Sequence, residues 1–167
     1  GINSDRTGIS ALQLYHAKLA AGDDVAEKVR QAVSDAGVEI LKSPRPSNQM
    51  KPNHTQAVGT IRALVEAGGP ERMTGILKVI MEAYPACCGL TDFIIRTVSL
   101  IAANAEHEVL EDPDFIQLLA SRPPERWQTA ARAEREDRRC PATVAGRLVI
   151  SREYNKGRRS DRLPMDW

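Results

Sequence analysis

At 167 residues the chain is long enough for one ordinary domain, or for one domain with an appended arm. An apolar fraction of 42% excludes general disorder, and with two Trp, three Tyr and two Phe the core is left to Leu, Ile, Val, Ala and Met. The net charge of +1 hides an asymmetry: residues 1–120 carry 11 Lys/Arg against 15 Asp/Glu, a net of −4, whereas residues 121–167 carry 12 against 7, a net of +5.

The first residues, Gly1-Ile2-Asn3-Ser4-Asp5-Arg6, read like the middle of a chain. Ser10 with Gln13 forms a capping box, in which hydroxyl and amide satisfy orphan backbone donors. Behind it Leu12, Tyr15, His16 and Leu19 recur at helical spacing, and Gly22 sits where a left-handed C-cap belongs. Asp24 and Glu27 open a second helix, with Val25, Val29, Val33 and Ala36 inward and Gly37 ending it. Val38–Leu41 is a short β-like run, and Ser43-Pro44-Arg45-Pro46-Ser47-Asn48 is a loop by composition. Asn53 and Gln56 are expected to open a third helix carrying Val58, Ile61, Leu64 and Val65, closed by Gly68.

Proline at a first helical position starts a fourth helix at Pro70, striped by Met73, Ile76, Leu77, Ile80 and Tyr84. Thr91 caps a fifth, whose Phe93, Ile94, Thr97, Val98 and Ile101 make it the most apolar segment and place it at the centre of the core. Asp112-Pro113 begins a short sixth helix, Pro123-Pro124 a charged seventh, and Pro141 an eighth carrying Val144, Leu148 and Ile150. The tail beyond Gly157 is expected to be loose. The fold class is therefore all-α: a compact non-solenoid domain of seven to eight helices with short loops. Residues 1–139 form its helical core, and residues 140–167 a basic C-terminal helix and tail packed on it or extending from it.

Chemical motifs are sparse. His16, His54 and His107 form no two-histidine motif at helical spacing, so no metal is expected. The adjacent Cys87 and Cys88 lack a local base or cation and read as small buried fillers at a turn, with Cys140 distant from both. Three thiols of this kind suit a reducing, cytoplasmic setting. No run of about 18 apolar residues suggests a membrane span. Gly68-Gly69-Pro70 lacks phosphate-loop spacing, so no cofactor is expected. A catalytic cleft would have to gather residues as distant as His16, His54 and Glu66. No catalytic residue is assigned. Glu134, Glu136 and Asp137 lie among Arg132, Arg135, Arg138 and Arg139, a pattern that reads as a solvated, salt-bridged helix face.

The basic C-terminal segment has a plausible ligand. Arg147, Arg152, Lys156, Arg158, Arg159 and Arg162 fall within sixteen residues, and Arg152, Lys156 and Arg159 share a helix face. Guanidinium groups so arrayed match phosphates, which makes these six the candidate contacts to duplex DNA backbone. Tyr154 either stacks on a base or anchors the helix to the core. The alternative is an Arg-rich end that serves only solubility.

Asn3-Ser4-Asp5-Arg6 followed by Leu12-Gln13-Leu14-Tyr15-His16-Ala17-Lys18-Leu19-Ala20-Ala21-Gly22-Asp23 resembles the helical region that follows the ParB-like domain in a group of phage and actinobacterial proteins. Val33-Ser34-Asp35-Ala36-Gly37-Val38, Ala57-Val58-Gly59-Thr60-Ile61 with Gly68-Gly69, and Tyr154-Asn155-Lys156-Gly157-Arg158-Arg159 extend the likeness over most of the chain. In that group an N-terminal domain of ParB and sulfiredoxin type carries an acidic-Gly-x-His-Arg element, and no Gly-x-His-Arg occurs here. The resemblance thus implies the helical part alone, and it assigns nucleotide hydrolysis or nuclease chemistry to no residue of this chain. It implies a DNA-associated module or, as the alternative, a structural module that packs on an N-terminal domain or on a second copy. The apolar helix Thr91–Asn104 would supply that contact if partly exposed.

Overall fold

The computed structural model describes residues 10–166; the opening Asn3–Arg6 element of the resemblance lies outside them. Ser10 and Gln13 cap each other reciprocally at the start of α1 (Ala11–Ala20), and Gly22 turns the chain at φ 81°. The carboxylate of Asp23, one residue before the expected start, accepts from the Ala26 amide and opens α2 (Asp24–Ala36), which ends on left-handed Gly37.

Glu39–Ile40 (β1) and His54–Thr55 (β2) then form a two-stranded parallel pair, with Glu39 opposite His54 and Ile40 opposite Thr55. This delays the third helix, α3 (Val58–Gly68), beyond the expected Asn53–Gln56 start. Thr55 is fully buried, its hydroxyl donating to the Leu90 carbonyl at 2.9 Å and accepting the Ala57 amide at 3.1 Å. Gln56 does not cap the helix. It brackets the backbone of Arg45 through both amide atoms and pins the proline loop.

The remaining helices are α4 (Pro70–Ala83), α5 (Asp92–Asn104), α6 (Pro113–Ala120), α7 (Pro124–Arg138) and α8 (Ala142–Asn155), making eight in the described residues. The fold is all-α. Ile94, Ile95 and Val98 of α5 are completely buried, so the exposed apolar patch that would recommend this helix for self-association is absent. Burying each such side chain contributes about 1.5–3 kcal/mol. The carbonyl of Leu119, near the end of α6, and that of Arg122, just beyond it, are satisfied from the core. The Trp127 indole N–H donates to the Leu119 carbonyl at 3.0 Å, and the Tyr84 hydroxyl lies 2.9 Å from the carbonyls of Leu119 and Arg122. Burial pushes the Tyr84 phenol well above its ordinary range.

Residues 140–166 pack on the rest of the molecule. α8 packs against α7, α5 and α6 and buries nine residues. Gly146 makes the α5 crossing close: a Cβ there would meet the Phe93 ring at 2.8 Å and the Thr97 hydroxyl at 3.0 Å. Gly146→Val is therefore expected to cost about 2 kcal/mol of stability, as overpacked cores do. Gly75→Ala in mid-α4, where a new Cβ meets only the Leu110 side chain at 4.0 Å, should instead gain about 0.5–1 kcal/mol. Urea unfolding of both variants checks the pair of signs.

Candidate nucleic-acid interface

Of the six cations expected to face a polyanion, most are bound within the molecule. Arg147 is 4% exposed. It points inward, donating to the Pro164 carbonyl at 2.9 Å and to the Asp166 carbonyl. A buried guanidinium must have its donors met, and the tail backbone meets them. Arg152 forms a fork with Glu134 of α7, at 2.9 and 3.1 Å, which lifts the guanidinium pKa further. Arg158 reaches Asp112 at 3.2 Å and Asp114 at 2.9 Å. Arg162 donates to the carbonyls of Asn155 and Arg158, covering the end of α8. Lys156 meets Glu153 one turn back at 2.8 Å on an open surface, where such pairs contribute little. Arg159 is exposed and has no carboxylate partner among the described residues. The outward-facing row Arg152–Lys156–Arg159 is thus reduced to one unpaired end.

The tail beyond Gly157 is strapped down, contrary to expectation. Asn155 donates to the Leu163 carbonyl at 2.8 Å and accepts the Leu163 amide at 2.7 Å, imitating a strand pairing, while the Leu163 side chain is buried. Tyr154 is an anchor to the core. Its hydroxyl donates to Asp112 and lies 2.9 Å from His107 Nε2, and the Arg158 guanidinium sits 3.9 Å over its ring. The single phenolic hydrogen goes to the carboxylate, so Nε2 of His107 is the donor in the second contact. Burial raises the Asp112 carboxyl, but the Tyr154 hydroxyl, the Asp114 amide and Arg158 outweigh it and hold the group below its ordinary value. Burial, then Asp112, pushes Tyr154 upward.

The face of α7 is solvated as the sequence reading expects, and Arg138 pairs with Glu134 along it. Glu134 is only 14% exposed and is claimed by both Arg138 and Arg152. Arg132, Arg135 and Arg139 are exposed with no carboxylate of the described residues in salt-bridge range. They line one open cleft of about 830 Å³ with Glu136, Cys140 and Pro141. The helical spacing of Arg132 and Arg135 puts them within about 60° of one another and about 4.5 Å apart along the axis. Arg139 caps the helix in a left-handed conformation, φ 54°, and lines the same cleft. The spacing was visible in the sequence. That Arg152 of α8 binds Glu134 was not.

The other candidates are structural. His16 contacts the Leu41 carbonyl, Glu66 lies opposite Arg62, and His54 is held between the Lys51 amide and Glu39. No hydrogen bond joins His16, His54 and Glu66. Cys87 is exposed rather than buried. Cys88 donates to the His54 carbonyl, and burial raises its thiol pKa, which opposes nucleophilicity. Among the described residues no group of three or more His, Cys, Asp or Glu is placed to hold a metal ion, and no helix is long and apolar enough to cross a membrane. No family model, curated protein or solved structure matches the chain.

Hydrogen bonds from Arg152 and Arg138 hold the Glu134 carboxyl at about 2, against an ordinary 4.5. The folded chain therefore keeps this group ionised where the unfolded chain protonates it. Its stabilisation is complete above about pH 4.5 and is lost as pH falls to about 2. Glu134→Gln should cost about 2 kcal/mol near neutrality, between exposed and buried pairs, and should flatten the acid limb of stability followed by thermal melts.

Proposed function

We propose that the chain is a helical module that associates with the backbone of duplex nucleic acid, with its contact face on α7 and with α8 as an internal brace. The observation that carries this reading is the row Arg132, Arg135 and Arg139, exposed, without carboxylate partners among the described residues, and sharing one cleft. A row along an axis suits successive phosphates better than one isolated anion. The cleft presents no aromatic side chain on which unpaired bases would stack. Leu14, the large exposed hydrophobic residue of the described chain, lies on α1, so α7 offers no apolar anchor for a lipid surface. Glu136 lines the same cleft, and its carboxylate offsets part of the positive charge presented to a phosphate.

The resemblance to the helical part of ParB-like proteins points to the same partner, and three free thiols suit a reducing cytoplasm. Three neutralised phosphates give a logarithmic salt slope of about −2.7, so affinity should fall roughly forty-fold between about 50 and about 200 mM salt. Fluorescence anisotropy on a labelled duplex reads this directly. Joint Arg132→Gln, Arg135→Gln and Arg139→Gln should abolish the slope, while Arg158→Gln should leave affinity within about twofold. Unchanged binding by the triple variant rejects the α7 face.

A second reading, self-association, is favoured by a different observation. Leu14 is 42% exposed beside an apolar groove of about 130 Å³ formed with Ala11, Tyr15, Val29 and Val58. Lys18 and Asp23 on the same groove give a copy related by a two-fold axis opposite charges to meet. Light scattering should then show a concentration-dependent dimer that Leu14→Asp disperses. A monomer at every concentration ends this reading.

A further inference from the structure

A second cavity, which shares no lining residue with the α7 cleft, has the build of a ligand site. It opens where the hairpin of α3 and α4 meets α5 and the first turn of α8, and its volume is about 380 Å³. Leu64, Met73, Ile76 and Leu100 supply an apolar floor. The space remains open because Ala67, Gly68 and Ala103, also lining it, have too little side chain to fill it. Its polar groups are all donors or hydroxyls: Arg72, Arg96, Ser99 and Thr143. No acidic residue lines it, in a chain with 22 of them.

The two arginines differ in readiness. Arg72 has no carboxylate of the described residues within salt-bridge distance, and its aliphatic stem crosses Gly68, where a Cβ would meet its Cδ at 3.2 Å. A side chain at residue 68 would displace that stem, so this glycine lets the guanidinium lie along the groove. Arg96 leans on Asp92 at 3.1 Å in an exposed pair, which costs little to exchange for another carboxylate.

From this we infer that the groove binds a small amphipathic carboxylate, its hydrocarbon body on Leu64, Met73 and Leu100 and its carboxylate on Arg72, with Arg96 secondary. An apolar floor with a few converging polar groups, in a volume near the lower end of ligand cavities, fits a single short chain. A docked partner helix would need an interface several times larger. The chemistry is binding alone, with no bond made or broken, and it is independent of the α7 face.

The test is an amide NMR titration of the full chain with decanoate. Shifts should gather at residues 64–76, 96–103 and 143 and leave 132–139 unmoved. Arg72→Gln should weaken binding roughly tenfold, as expected for loss of a charge-assisted hydrogen bond. Ala103→Leu, a surface helical change that fills the space without altering charge, should block it, and a normal spectrum elsewhere certifies the fold. The inference is overturned if decanol binds as tightly as decanoate, if shifts scatter over the surface, or if none appear at millimolar ligand. It is equally overturned if an acidic helical peptide perturbs these residues where decanoate does not. Duplex titrations read residues 132–139, so failure of one site is distinguishable from failure of the other.

Discussion

A guanidinium taken out of water must find acceptors, and in this fold that requirement consumes most of the C-terminal charge. α8 lies in the core, pressed against α5 at Gly146, and its polar residues cannot all reach solvent. Arg147 therefore draws the tail backbone over itself, and Asn155 and Arg162 complete the strap. Arg152 and Arg158 settle on carboxylates of α7 and of the turn before α6. A segment that reads as a polyanion ligand is thereby a set of internal ties.

The same accounting changes the meaning of α7. Its sequence alternates charges as if each cation had a neighbouring anion. Glu134 turns inward to serve α8, while Arg132, Arg135 and Arg139 stand exposed on the outer face. Arg135 and Arg138 also stand in the last helical turn, where cations offset the carbonyl end of the helix dipole.

Hydroxyls and aromatic polar groups perform the same task deeper in the core. Tyr84 and Trp127 meet the Leu119 carbonyl near the end of α6, Thr55 joins β2 to Leu90, and Tyr154 ties α8 to Asp112. Each is an amphipathic side chain whose apolar body fills space while its tip satisfies a buried partner. With so few aromatic residues, the chain places them at helix junctions, where that double use is needed.

Local signals were legible from the amino acids alone. The Ser10–Gln13 box, Thr91, Asp112-Pro113 and Gly37 mark helix ends through bonds made within three or four residues, and the stripe of α5 foretells its burial. These depend on short-range geometry and on the apolar period, both of which are properties of the chain order. Whatever depends on a partner far along the chain was decided by tertiary structure. His54–Thr55 became a strand because Glu39–Ile40 lay beside it, and the cations near residue 152 turned inward because Glu134 and Asp112 were brought to them. Charge is countable in a sequence, but its availability depends on which opposite charge packing places within a few ångströms.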